Sequence, residues 1–196
     1  MLVAGIVPPF GALAGLAWAK WSDTPFAELG LRRVGTWAPA VAGGGALGVG
    51  LKFFTKTIEL PLLGANPHNA AYAGLIGNTP LLIQLAITTV IVGGVGEEIF
   101  WRGFLFQRLG KLFGTTLAAK IAIVAITSLG FAVAHFTEQG VAGVEQAIVT
   151  GLALGTVFAW TRSLWPVMAA HATYDLVALL IIYANLEDSV AHLVFH

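Results

Sequence analysis

A chain of 196 residues that is 57% hydrophobic and only 10% charged, with a mean hydropathy of +0.83, cannot cover itself with polar surface. Soluble domains carry about 25% charged residues, so the composition implies an all-α, polytopic integral membrane bundle of about six helices, each needing roughly 20 residues to cross. The formal net charge of zero argues against nucleic acid as a partner, and with no cysteine there is neither a disulfide nor a thiolate metal site.

The first apolar stretch, MLVAGIVPPFGALAGLAWAKW, has no basic residue ahead of it, so a retained helix over 2–20 is expected rather than a cleaved signal peptide. SDTPFAELGLRRVG is too polar to cross and predicts a short interfacial helix capped by Ser22 or Asp23. A second span over 37–58 carries Gly43, Gly44, Gly45, Gly48 and Gly50, small residues that let membrane helices approach closely. PLLGANPHNAAYAGLIGNTP is the longest loop. The third apolar run, 79–109, is overlong, so its second half, FLFQRLGKLF, is expected to leave the bilayer. Further spans follow at 116–136, 142–162 and 164–185, without an internal repeat.

Orientation follows from the basic residues. With the N-terminus outside, Lys20, Arg32, Arg33, Arg102, Arg108, Lys111, Lys120 and Arg162 fall on the cytoplasmic side, and only Lys52 and Lys56 fall outside. Trp18, Trp21, Trp37, Trp101, Trp160 and Trp165 gather near the same cytoplasmic ends, as half of an aromatic belt would.

Few ionisable groups are left inside the spans: Glu97, Glu98, Arg102, His135, Glu145, His171 and Asp175. A charge at mid-membrane costs about 2.5–3.5 kcal/mol on insertion scales, so such residues are seldom idle. Glu98 and Arg102 stand one helical turn apart with the acid first, the favourable order for a structural ion pair. Glu97 is rotated by about 100° from Glu98 and is left without that partner. His171 with Asp175, and Phe131 with His135, repeat the four-residue spacing. Counted from the basic residues at the cytoplasmic ends, Glu97 lies about 17 Å deep, His171 about 14 Å and His135 about 23 Å, so the last joins the others only if its helix tilts or starts late. Each histidine taken singly reads as a satisfied hydrogen-bonder. Glu145 is expected at the outer interface, and His68, His192 and His196 in solvent. One unpaired acid and two imidazoles on three helices, in a chain with so little other buried polarity, mark a functional site. The glycines of GGVG (Gly93–Gly96) are no phosphate loop: no Lys-Ser/Thr pair follows, and two carboxylates do.

EEIFWR (Glu97–Arg102) resembles the EExxxR motif of the CAAX prenyl endopeptidase and bacteriocin-processing (CPBP, or Abi) membrane family, FAVAH (Phe131–His135) its FxxxH motif, and HATYD (His171–Asp175) its HxxxN/D motif. The likeness runs through roughly 79–185, which would make that stretch the catalytic membrane core, 1–78 an N-terminal region of helices, interfacial segment and loop, and 186–196 a short polar tail. The resemblance implies an intramembrane glutamate protease that needs no cofactor or metal. Glu97 would be the general base, His135 would hold the water, His171 would stabilise the oxyanion, and Glu98, Arg102 and Phe131 would support them. Asp175 stands where other members carry Asn; an ionised carboxylate cannot donate to an oxyanion, so its expected role is to fix the tautomer of His171. The protein's partners would be membrane lipid and a peptide or protein substrate, prenylated substrates included, in a bacterial or archaeal plasma membrane, with the site nearer the cytoplasmic side. Two further readings stay open. One is a metalloprotease using Glu97, His135, His171 and Asp175, though no HExxH pair is present. The other is a non-catalytic immunity or scaffolding protein whose polar cluster only specifies helix pairing; a transporter is disfavoured by the missing repeat.

Overall fold

The computed structural model describes residues 7–32 and 37–195. The start of the first span at residue 2, Arg33 and His196 lie outside these. Among the described residues every regular element is helical. Helix α1 spans Val7–Trp21 and α2 spans Trp37–Phe54, the latter prolonged by a π-helical turn, Thr55–Glu59, and a last turn, Leu60–Leu62. Helix α3 runs Thr79–Phe113, α4 Leu117–Thr161, α5 Leu164–Tyr183, and a short α6 Glu187–Ala191. Three of these, α3, α4 and α5, are long and apolar enough to cross a membrane.

Helix α4 is two helices in one. Gly140 adopts φ 63° and ψ −154°, a backbone that residues with a side chain avoid, and it breaks the run where EQG separates the predicted fourth and fifth spans. Phe131 and Ala132 pack with Ala147, Ser128 lies against Gly151 and Val124 against Gly155, so the halves 117–139 and 141–161 fold back antiparallel about that turn.

The second helix carries a stripe of its own. Gly44 faces the backbone of Pro166, and Gly48 that of Ala170 and Tyr174, with no room for a Cβ at either glycine. Four residues on, Lys52 reaches Tyr174. The constant offset means that α2 and α5 run parallel, their backbones drawn together by the small-xxx-small spacing. In α3, Gly93 and Gly94 do the same for the next contact, against His171, Ala172 and Asp175.

Helix α3 is not a plain α-helix. Its hydrogen bonding is α-type over Thr79–Thr88, π-type through Thr89–Glu97 and Ile99–Leu105, and α-type again over Phe106–Phe113. Wide π turns are rare and concentrate at functional sites; here they hold EEIFWR.

The polarity of the bundle is inverted relative to a protein in water. Ile83, Ile87, Ile91, Leu129, Val133 and Trp160 face outward, while Lys52, Glu98, Arg102, Thr127, Ser128 and His171 are buried. An apolar exterior around a polar interior is what a lipid solvent selects.

One end of the bundle is tied by Arg32, which donates to the Thr161 carbonyl, by Trp165 Nε1, which donates to Arg32 O at 3.0 Å, and by Glu28, which accepts from Gln107 (3.1 Å) and pairs with Lys111 (3.3 Å). Those hydrogen bonds hold the Glu28 carboxyl below its usual range. The predicted interfacial segment is there, but as a 3₁₀ turn, Phe26–Leu29, entered through Pro25 without a side-chain cap. Ser22 is not the cap: its hydroxyl bonds Ala19 O and Thr24 Oγ1 instead, and Pro25 sets the backbone entry. At the other end Lys56 and Glu187 form a buried ion pair at 2.8 Å, joining α6 to the prolongation of α2 within the segment expected as a polar tail.

The glycine stripe gives a direct test. Gly48→Leu should cost roughly 1–3 kcal/mol by overpacking the α2–α5 contact, whereas Gly50→Ala, with nothing within 4 Å of its Cβ position, should leave stability unchanged or slightly raised. Thermal unfolding of the detergent-solubilised variants compares the two.

Candidate active site

Glu98 is fully buried and its Oε1 serves two nitrogen partners. Arg102 Nη1 donates to it at 2.6 Å, and His171 Nδ1 lies 2.7 Å away. The first contact follows from the four-residue spacing on α3; the second crosses to α5, where Gly93 and Gly94 let the two helices close up. Arg102 Nη2 also reaches the Gly151 carbonyl at 3.3 Å, so the same guanidinium fastens the second half of α4. The sequence predicted Glu98 as the partner of Arg102 alone. Its hold on His171, 73 residues away, had no local signal.

Phe131 organises the opposite wall. Its ring lies 4.6 Å from the Arg102 guanidinium, 4.6 Å from the His135 ring and 5.7 Å, edge-on, from the His171 ring. Trp101 packs T-shaped against it at 6.2 Å. A cation over an aromatic face and rings at these separations are each favourable by about 0.5–2 kcal/mol, and together they fix the planes of both imidazoles. His135 Nδ1 lies 2.8 Å from the Phe131 carbonyl, one turn back. A carbonyl only accepts, so Nδ1 carries the hydrogen and a neutral ring keeps its Nε2 lone pair for the cavity.

Glu97, His135, His171 and Asp175 line one cavity of about 210 Å³, together with Trp101 and Phe131. His135 joins the others despite its greater depth counted from the sequence, five residues before α4 turns back at Gly140. Glu97 Oε2 is buried and has no hydrogen-bond partner among the described residues, and the same holds for Trp101 Nε1, one turn along on the same face. Trp101 is a cavity residue that the sequence reading had placed only in the aromatic belt; its position four residues from Glu97 was the available clue.

His171 Nε2 lies 3.5 Å from Asp175 Oδ2, a longer contact than the one Nδ1 makes with Glu98. The shorter contact, from a more deeply buried acid, is with Glu98, a second partner beside the Asp175 that the sequence assigns to the tautomer of His171. Among the described residues no three His, Asp or Glu side chains are grouped as a metal site.

Lys52 is a second surprise. Counted in the sequence with the outside residues, it is buried, and it lines the same cavity as Glu97. His68 and His192 are exposed as expected, and Glu145 is half-buried.

Removing one member of the Glu98–Arg102–His171 cluster strands a buried charge, which typically costs about 3–5 kcal/mol. Arg102→Ala should therefore destabilise by that amount, while the double variant Glu98→Leu/Arg102→Met should recover most of it. Denaturant or thermal unfolding in detergent reads both, and a double variant no more stable than Arg102→Ala would show that packing, not charge, sets the cost.

No curated protein and no solved structure matches the chain. A family model does: type II CAAX prenyl endopeptidase Rce1-like, over residues 79–177, which takes in all three motifs and every cavity residue from Thr88 to Asp175. The chain belongs to that family of CAAX-type intramembrane proteases and is an integral membrane protein.

Proposed function

We propose that the protein is a metal-independent endopeptidase of the glutamate type, hydrolysing a peptide bond inside the membrane with a water activated by Glu97. The observation that carries this reading is the unpartnered, buried Glu97 Oε2 in a cavity shared with His135 and His171. Glu97 takes a proton from the water, whose other hydrogen is accepted by His135 Nε2. The water oxygen bonds to the peptide carbonyl carbon, and the oxygen that becomes negative accepts from His171 Nε2–H. Glu97 then passes its proton to the amide nitrogen, the C–N bond breaks, and an acid and an amine leave. A donor aimed at such an oxyanion in a dry site is worth about 2.7–4 kcal/mol. Glu98 holds the other face of His171, and Asp175 keeps a hydrogen on Nε2. Arg102 and Phe131 brace the pair.

The same reading takes α1, α2, α3, the two halves of α4 and α5 as six crossings. It sets the N-terminus outside, the end holding Arg32, Trp165 and Lys111 in the cytoplasm, and 79–185 as the catalytic core. The substrate is a membrane-associated peptide, a prenylated C-terminus being the type the family's description suggests.

Purified protein in lipid nanodiscs should cleave a prenylated peptide, and general-base loss in Glu97→Gln should cut kcat by about 10²-fold or more with folding intact. His135→Ala and His171→Ala should fall similarly. Activity should survive exhaustive chelation; its loss, with recovery on adding zinc, would establish the metalloprotease instead. A Glu97→Gln protein with undiminished cleavage would end the glutamate mechanism.

A further inference from the structure

The cavity holds a cation that the hydrolytic chemistry leaves unused. Lys52 is 8% exposed, so its ammonium sits in the bundle interior. An ammonium has three donors and wants three acceptors. Nζ donates to Gln146 Oε1 at 3.0 Å and, at a long 3.5 Å, to the Tyr174 hydroxyl, with the Tyr174 ring beside it at 4.5 Å. Among the described residues no carboxylate reaches it at salt-bridge distance, although Lys56, one turn on, has Glu187 at 2.8 Å. Its surroundings are built rather than accidental. Tyr174 also bonds Thr55 Oγ1 and Gln146 Oε1, both at 3.1 Å, and Gln146 is anchored to the Ala142 carbonyl at 3.3 Å. The glycine stripe of α2 delivers Lys52 to this spot, because Gly44 and Gly48 bring α2 and α5 to backbone contact. A buried cation with neutral partners and a spare proton is an anion receiver.

Position and charge say which anion. Lys52 lies on the wall common to the cavity of Glu97 and a second one of about 420 Å³. Tyr174 is three residues beyond His171 on α5, so the ammonium sits about one turn past the imidazole, away from the end tied by Arg32 and Trp165. One lysine matches one negative charge. A phosphate brings up to two, and would sit in a cavity already lined by the acids Glu97, Glu138 and Asp175. A carboxylate brings one, the smaller charge to place among those acids and the one that a single ammonium neutralises.

We propose that Lys52, held by Gln146 and Tyr174, binds the free C-terminal carboxylate of the peptide substrate, so that the peptide lies with its terminus at Lys52 and its scissile bond at Glu97. This rests on the peptidase reading above. The enzyme then measures cleavage from the chain end, and an internal or capped sequence is a poor ligand.

Binding separates this inference from the chemistry. A fluorescent farnesylated peptide is prepared with a free C-terminal carboxylate and with a carboxamide, and each is titrated against the full chain in nanodiscs of neutral phosphatidylcholine. Cleavage is followed in parallel. The acid should bind about tenfold or more tightly than the amide, the value of a charge-assisted hydrogen bond in a dry site. Lys52→Met should bring the ratio near one, and Lys52→Arg should keep part of it. Equal binding of acid and amide by the wild type, or no binding of either, overturns the proposal without any variant having to fold. So does a preference that persists in Lys52→Met. Nanodiscs containing phosphatidic acid supply the competing phosphate: loss of acid-peptide binding there, reversed in Lys52→Met, assigns Lys52 to lipid headgroups and overturns the peptide carboxylate. If the preference depends on Lys52 but Glu97→Gln cleaves like wild type, the receiver stands and the Glu97 mechanism falls.

Discussion

The bundle turns on one carboxylate oxygen. Glu98 Oε1 is fully enclosed, yet it neutralises Arg102 on its own helix and grips His171 on another. Burying three ionisable groups in hydrocarbon is tolerable only because they pair with one another, while Glu98 Oε2 and Arg102 Nε have no hydrogen-bond partner among the described residues. The arrangement has directional consequences that an apolar contact lacks. It sets the rotation of α3 about its axis, because Glu98 must face α5. With Glu98 committed, Glu97 is turned by a residue's rotation into the cavity. Arg102, reaching on to the Gly151 carbonyl and the face of Phe131, brings both halves of α4 into the same frame.

Close backbone approach makes that cluster possible. Gly94 against Ala172 of α5, and Gly44 and Gly48 of α2 on its far side, stand where a Cβ would collide with the neighbouring helix. His171 and Asp175 on one side of α5 and Tyr174 on another are thereby served by different neighbours, α3 for the imidazole and α2 for the phenol.

Much of this was legible in the sequence, for identifiable reasons. Apolar runs bounded by polar punctuation marked the helices to within a few residues, and the EQG break foretold the hairpin at Gly140. The spacing of Glu98 and Arg102, and of Phe131 and His135, is local, and each gave a contact that is present: an ion pair in one case, ring packing and a backbone hydrogen bond in the other. What escaped was non-local or contrary to habit. The Glu98–His171 bond joins residues on different helices. Lys52 was counted with the residues outside, but it is buried and reaches Tyr174 beside the glycine stripe. Ser22 and Asp23 looked like caps, yet Pro25 opens the turn. The π turns of α3 have no composition of their own, since the slip from one hydrogen-bond register to another is decided by what the helix packs against.

Those wide turns also bear on how the third run fits its solvent. As an α-helix throughout, the 35 residues of Thr79–Phe113 would extend about 52 Å, far beyond a hydrocarbon layer about 30 Å thick. Winding the nine residues Thr89–Glu97 and the seven residues Ile99–Leu105 with more residues per turn shortens the rod where it matters. Thickness matching and the placing of the motif thus draw on the same local deformation: the coil that carries EEIFWR also absorbs part of the excess length, leaving less for tilt or protrusion to relieve.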